Sequence, residues 1–304
     1  MAEGKGPAVN DYLIRGILKA FNVRFVLAGT TRLVQDAVIA HDTDPAAAQI
    51  FSDALTAAAL LAPLLTGEER YTIRWEYPGT AGVLLADVNA AADVRGLPSN
   101  PHLMAEGDRA DKEKLFGDGD GMIAVTKSVA GKVLNTGQTR APLAQPSADI
   151  AFFLSLSDQV ESEMVTVTRF NADPANPVHT AGGMLLQAMP DCDLERFEVM
   201  RRKLGQPAVK ELLLNNCSPL ETRLRRILAE LLAPDSLEEA DVNYEFGPEP
   251  GFRCSCSEEK MRQAMLVLGM DDLKQLFTER DSVAVCCNFC RRKYTFTQKD
   301  FFST

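Results

Sequence analysis

Positive charge, histidine and long apolar runs are all scarce in this 304-residue chain. Acidic residues outnumber basic ones, 42 to 32, for a formal net charge of -10. A polyanion such as DNA is repelled by that average field, because nucleic-acid affinity comes largely from neutralising phosphates. No nucleic-acid partner is expected without a local basic patch. The longest uninterrupted apolar run, residues 57–65, falls far short of the ~20 residues a membrane span needs, so no membrane partner is expected either. Residues 1–12 lack the apolar centre and small-residue cleavage signature of an export signal. No Gly-x-Ser-x-Gly, phosphate-binding loop or dinucleotide fingerprint occurs, so no catalytic residue is assigned and no enzyme is expected.

What the chain does have is seven cysteines. Without an export signal they imply a reducing, cytoplasmic location, where clustered cysteines serve more often as metal ligands or redox sensors than as structural disulfides.

Periodicity divides the chain into three. Residues 1–190 read as a large mixed α/β domain of the α+β class, with strands interleaved with helices. Asp44-Pro45 opens an alanine-rich helix over 46–65, and residues 71–77 alternate as a half-buried strand. Further strands are expected at 83–88, 122–126, 164–170 and 184–189, with a helix at 149–160. Gly117-Asp118-Gly119-Asp120-Gly121 hints at calcium, but the later ligands of a binding loop are missing, and a turn entering a strand explains it better.

Residues 191–250 read as a helical section and linker. Ser218-Pro219-Leu220-Glu221 has the pattern of a capping box. Leu224, Ile227, Leu228, Leu231 and Leu232 follow on one helix face, with Arg223, Arg226 and Glu230 opposite. The acidic, turn-rich stretch 235–250 reads as the linker itself.

Residues 251–304 carry the chemistry. Cys254-Ser255-Cys256 and Cys287-Asn288-Phe289-Cys290 are two close pairs, the way four thiolates are brought around one tetrahedral zinc. His41, His102 and His179 all lie upstream, so the expected site is all-cysteine. Residues 283–286 and 293–296 read as a hairpin with Cys287 and Cys290 at its tip. Ser257 can cap a helix presenting Met261, Ala264, Met265 and Leu268, stopped by Gly269. Cys192 and Cys217 read as bystanders, and Cys286 as an extra thiol beside the second pair. Such a site can be a permanent staple for a small domain, or it can be a switch. Zinc keeps cysteines as thiolates, thiolates are what oxidants attack, and oxidised cysteines cannot ligate.

Four stretches resemble the redox-regulated 33-kilodalton heat-shock chaperone family: Val94-Arg95-Gly96; Ala181-Gly182-Gly183-Met184-Leu185-Leu186-Gln187; Phe252-Arg253-Cys254-Ser255-Cys256-Ser257; and Cys287-Asn288-Phe289-Cys290. The order of elements is similar too, beginning with an amino-terminal helix and strand around residues 11–25. The resemblance implies an ATP-independent holdase, inactive while reduced with one zinc per chain. It implies that oxidation forms two disulfides, Cys254–Cys256 and Cys287–Cys290, releases zinc, unfolds the linker and exposes a surface for unfolding client proteins, commonly in a homodimer. Spacing alone leaves all three pairings open. The sequence departs from the family at Ser157-Asp158-Gln159, where glutamate is expected in the middle, and at 138–143, where the strand pattern is weak. Two other readings remain: a zinc-ribbon nucleic-acid-binding factor using Arg291-Arg292-Lys293, and a thiol oxidoreductase using Cys287 and Cys290.

Overall fold

The computed structural model describes residues 11–104 and 111–302, so Met1 to Asn10, read above for an export signal, lie outside the described residues. Contacts divide the chain into two compact units, Met1–Phe252 and Arg253–Thr304.

The first unit begins with β1 (Tyr12–Leu18), β2 (Val23–Gly29), α1 (Thr31–His41) and α2 (Pro45–Leu61). Next come β3 (Glu69–Glu76), β4 (Val83–Asn89), β5 (Asp93–Pro98), α3 (Lys112–Phe116), β6 (Gly121–Val129) and β7 (Lys132–Ala141). The unit continues with α4 (Pro146–Ser157), β8 (Ser162–Phe170) and β9 (Val178–Ala188), then α5 (Leu194–Leu204), α6 (Pro207–Leu214) and α7 (Leu220–Leu232). It ends in β10 (Val242–Phe246) and β11 (Gly251–Phe252). One sheet has the order β10-β1-β2-β9-β8, the other β11-β5-β4-β3-β6-β7.

Helix α2 is the centre of this unit. Asp44 caps it by accepting from the Ala47 N–H at 2.8 Å, with Pro45 in the first turn, as the sequence predicts. Its residues pack in one core with Val26 and Ala28 of the first sheet and Ile73 and Trp75 of the second. Both sheets approach it over glycine. A Cβ at Gly96 would lie 2.9 Å from Leu55 Cδ2, and one at Gly183 would lie 3.2 Å from Leu60 Cδ1. By length and composition Pro45–Leu64 could cross a membrane, with 20 residues and mean hydropathy 1.4, yet 83% of that window is buried inside the protein. Counting only uninterrupted apolar residues understates this helix's apolar length, because polar residues punctuate it. Ser52 bonds Thr168 at 2.7 Å, Thr56 bonds Thr30 at 2.8 Å and Asp53 accepts from Thr166, so the buried interruptions are hydrogen-bonded to the surrounding chain.

The helices after residue 190 pack on the first sheet. Leu224, Ile227, Leu228, Leu231 and Leu232 of α7, all buried, meet Ile14, Leu18, Phe25, Leu27, Met184 and Leu186, together with Phe197 and Met200 of α5. Each such side chain contributes roughly 2 kcal/mol of burial. The expected strip is therefore real.

Several local expectations are corrected. Residues 11–25 form a strand, a short 3-10 turn and the start of a second strand rather than a helix and strand. The Ser218 capping box does not form; α7 starts one residue later with Pro219 at its cap and no side-chain bond there, leaving Ser218 out of reach. Arg223 does not share the exposed face. It is buried, with its guanidinium 4.8 Å over the Tyr12 ring and Nη1 donating to the Asn215 carbonyl at 2.5 Å. Residues 242–246, expected within a linker, pair antiparallel with β1 as an edge strand. Helix α4 begins at Pro146, earlier than its apolar pattern suggests, and β7 forms despite its weak pattern.

The α1 amino terminus is capped from another element. Thr30 makes no side-chain cap, and Asp11 accepts instead from the N–H groups of Arg32 at 2.9 Å and Leu33 at 2.7 Å. Burial outweighs these bonds and raises the Asp11 carboxyl from 3.8 to about 6. Because the folded-state value is raised, the stability linked to uncharged Asp11 is full below pH 3.8 and is lost as pH rises through about 6. Asp11→Asn should flatten the melting temperature between those pH values, and Asp11→Ala should cost ~1–2 kcal/mol at pH 7 through the lost cap. Thermal unfolding across pH tests both.

Candidate metal centre

The second unit, Arg253–Thr304, comprises α8 (Glu258–Leu266), α9 (Met270–Glu279), β12 (Ser282–Cys286) and β13 (Lys293–Thr297). Ser257 caps α8 by accepting from the Lys260 N–H, as expected. The anticipated apolar face is narrower than the sequence suggests: Met265 is buried, Met261 is half-buried, and Ala264 and Leu268 are exposed. Gly269, at φ +93°, does not merely stop α8 but starts α9, which the sequence reading missed. The buried apolar residues here are Met265, Leu273, Phe277 and Phe296, with the Phe301 ring tilted against Phe277 at 5.6 Å and edge-on to Phe296 at 5.7 Å. So small a core does little to offset chain entropy, and a unit of this size needs another constraint.

That constraint is positioned by the two cysteine-bearing loops. Strands β12 and β13 pair antiparallel from Ser282↔Thr297 to Cys286↔Lys293. Between them a tight knuckle forms, where the Cys287 N–H donates to the Arg292 carbonyl at 2.9 Å and the Arg291 N–H donates to the Cys287 carbonyl at 2.8 Å. Arg291 takes φ +60° to complete the reversal. Cys254 and Cys256 lie on the short irregular segment between β11 and α8.

The structure brings together all four expected sulfurs. The Sγ atoms of Cys254, Cys256, Cys287 and Cys290 lie within 4.8 Å of one another. Cys254 Sγ is 3.8 Å from Cys287 Sγ, and Cys256 Sγ is 3.4 Å from Cys290 Sγ. A tetrahedral site with zinc–sulfur bonds of ~2.3 Å has sulfur–sulfur edges of about 3.8 Å. The group can therefore hold one metal ion, and an all-thiolate donor set suits a soft or borderline cation. Among the described residues no histidine joins it; His41 is buried against Phe51 and Phe252 in the other unit.

The thiols are electrostatically unequal. Burial disfavours the charged forms of Cys256, Cys287 and Cys290. At Cys256 hydrogen bonds from Tyr294, Cys290, Cys254 and Cys287 outweigh it and bring the thiol down to about 7. Burial dominates at Cys290 and pushes it up to about 12, and it raises Cys287 as well. Thus one thiolate forms readily, and further ionisation needs a compensating positive charge.

Tyr294, whose hydroxyl lies 3.1 Å from Cys256 Sγ, went unnoticed in the sequence. Its signal was there: four residues after Cys290, it pairs with Val285 across the hairpin and so returns towards the knuckle. Cys286 is half-buried, and its thiol donates to the Arg291 carbonyl at 3.1 Å, outside the cluster. Cys192 and Cys217 belong to the first unit, the former packed against its second core and the latter exposed.

A two-sheet α+β body followed by a small four-thiol unit has well-defined relatives. The model of the Hsp33 protein family matches residues 11–297. A 33 kDa chaperonin of Bacillus velezensis is 32% identical over 296 residues, spanning 95% of this chain and 96% of the relative. One from Bacillus licheniformis is 31% identical, with 95% and 97% covered. The crystal structure of the 33 kDa chaperonin of Thermotoga maritima superimposes with a TM-score of 0.80 at 23% identity, covering 96% of each chain, which establishes the fold. This chain belongs to the Hsp33 family, whose members compared here are named chaperonins and not enzymes.

The geometry separates Cys286 from the four ligand candidates. Cys286→Ser should retain one metal per reduced chain, whereas Cys254→Ser and Cys287→Ser should lose it. Metal analysis of the purified variants decides, and metal loss from Cys286→Ser alone would mean that it, and not a neighbour, is the fourth ligand.

Proposed function

We propose that this protein is a redox-regulated, ATP-independent holdase of the cytoplasm, without catalytic residues, that keeps unfolding and oxidatively damaged proteins from aggregating. In the reduced chain Cys254, Cys256, Cys287 and Cys290 hold one zinc. The observation that carries this reading is the convergence of four thiols in a unit with almost no other core. When bound, zinc supplies a cross-link between the two loops and keeps the sulfurs as thiolates; in small zinc peptides such binding is worth on the order of 10 kcal/mol of folding free energy.

A two-electron oxidant such as a peroxide pairs the thiolates, taking two electrons for each disulfide formed, and the sulfurs then lose their capacity to ligate, so the zinc leaves. The family resemblance assigns the pairs Cys254–Cys256 and Cys287–Cys290. All four sulfurs lie within 4.8 Å, so proximity is compatible with these neighbours as with other pairings. Loss of the cross-link unfolds the unit and loosens the segment before it, and apolar surface of the helical section then meets clients, in a homodimer. Neither nucleic acid nor membrane is part of this reading: the basic run Arg291-Arg292-Lys293 is short and the chain carries a net charge of -10.

Light scattering of an unfolding client, with zinc release followed in parallel, tests the proposal. Oxidised protein should suppress aggregation without ATP and reduced, zinc-loaded protein should not; equal suppression by both forms would refute redox control. Hydrogen exchange adds a local readout. Protection of α7, whose strip is buried on the first sheet, should fall after oxidation, and unchanged protection would remove α7 from the exposed surface.

A further inference from the structure

The first unit contains a cavity of about 400 Å³ beside β7, the last strand of its sheet. Leu61, Val125, Ile150, Phe153 and Leu154 give it an apolar floor. Tyr71, Lys127, Asn135, Gln138, Ser157 and Asp158 stand around the mouth. We propose that this cavity receives a bulky apolar side chain of an extended polypeptide segment, whose backbone pairs with the outer edge of β7.

The register of the sheet fits that occupant. Tyr71, Lys127 and Asn135 lie in one row across β3, β6 and β7, and Ile73, Val125 and Gly137 in the next. The cavity is thus lined by inward-facing positions that run out to the edge of the sheet. A strand added beside β7 would send alternate side chains to that same face, next to Asn135 and Gly137. Gly137 lets the cavity floor reach the edge strand: the Phe153 ring packs where its Cβ would be, 2.8 Å from Phe153 Cζ.

The mouth selects peptide groups over ions. Lys127 is paired with Glu69 at 2.7 Å and also attracts Asp158, so no strong field of one sign remains to choose an anion or a cation. Among the described residues the side chains of Tyr71, Asn135, Gln138 and Ser157 make no hydrogen bond within the protein, which leaves phenol, amide and hydroxyl groups for a neutral, amide-rich partner. Alternate N–H and C=O groups of β7 point away from β6, as in any edge strand, and supply the pairing itself. Val133 and Leu134, 65% and 60% exposed, extend apolar surface along the same strand. A neutral chain with bulky apolar side chains is what an unfolding client offers. The identity of the segment as a client rests on the holdase reading; the site itself does not.

The probe is a fluorescent heptapeptide of alternating threonine and leucine, used with the oxidised full-length chain. Binding should slow hydrogen exchange across residues 132–141. Methylating alternate backbone nitrogens of the peptide should weaken it at least tenfold. Ser157→Trp, a change at an exposed mouth position, should do the same while leaving the melting curve and the zinc content of the reduced protein unchanged. Equal binding of the methylated peptide, equal binding by a folded Ser157→Trp protein, or unaltered exchange over 132–141 would each overturn the proposal. Aggregation suppression is measured separately on reduced and oxidised wild type. Failure there with intact peptide binding refutes the holdase reading alone, whereas suppression without peptide binding refutes the site alone.

Discussion

Four sulfur atoms confined within 4.8 Å cannot all be anions unless a cation shares the space. The second unit is organised around that constraint. Its cysteines span from a level near 7 at Cys256 to about 12 at Cys290, a spread produced when one thiolate is stabilised by neighbouring S–H and O–H donors while burial holds Cys287 and Cys290 neutral. A divalent ion removes the conflict by ionising every ligand together. Removal of such an ion would restore it, and among the described residues the buried core cluster that would remain is Met265, Leu273, Phe277 and Phe296. With a metal bound as proposed, fold and ionisation would be one equilibrium here, and chemistry that consumes the thiolates would act on the fold as well.

The first unit is built on an opposite principle. Helix α2 is enclosed between two sheets, and its buried Ser52 and Thr56 hydroxyls are hydrogen-bonded to neighbouring chain segments. The outer face of the first sheet is covered by α5, α6 and α7, whose apolar strips have no other burial. The unit thus combines a permanent centre with a layer of helices laid over one sheet. A chain that stores apolar surface for later use can keep it in such a layer without dismantling its core.

The parts of this architecture legible in the sequence are those governed by short-range chemistry. Asp44-Pro45 starts α2, Ser257 starts α8, alternation marks β3 and β12, and paired cysteines find one another across the intervening helices. Elements decided by distant partners were illegible. Residues 242–246 look like acidic linker because an edge strand tolerates exposed, charged side chains, and its pairing with β1 bridges more than two hundred residues. Arg223 looks like an exposed charge because nothing local reveals that Tyr12 and the Asn215 carbonyl will surround it. The Ser218 pattern fits a cap, yet only backbone geometry sets where α7 begins. Tyr294 was overlooked since alternation fixes its strand partner but not the sulfur beyond it.

The short segment from β10 to β11 has a mechanical consequence. Within a few residues it lies antiparallel to β1 at the rim of one sheet and parallel to β5 at the rim of the other. It works as a clasp sewn into both sheets immediately before the cysteine-bearing unit. Tension applied at Arg253 would load the pairings of Gly251 with Asp93 and Phe252 with Val94 first, the shortest ladder among the described residues, and then peel β10 from β1 one residue at a time. Undoing the clasp would bare the rims at β1 and β5 together, turning two closed margins of the first unit into open ones.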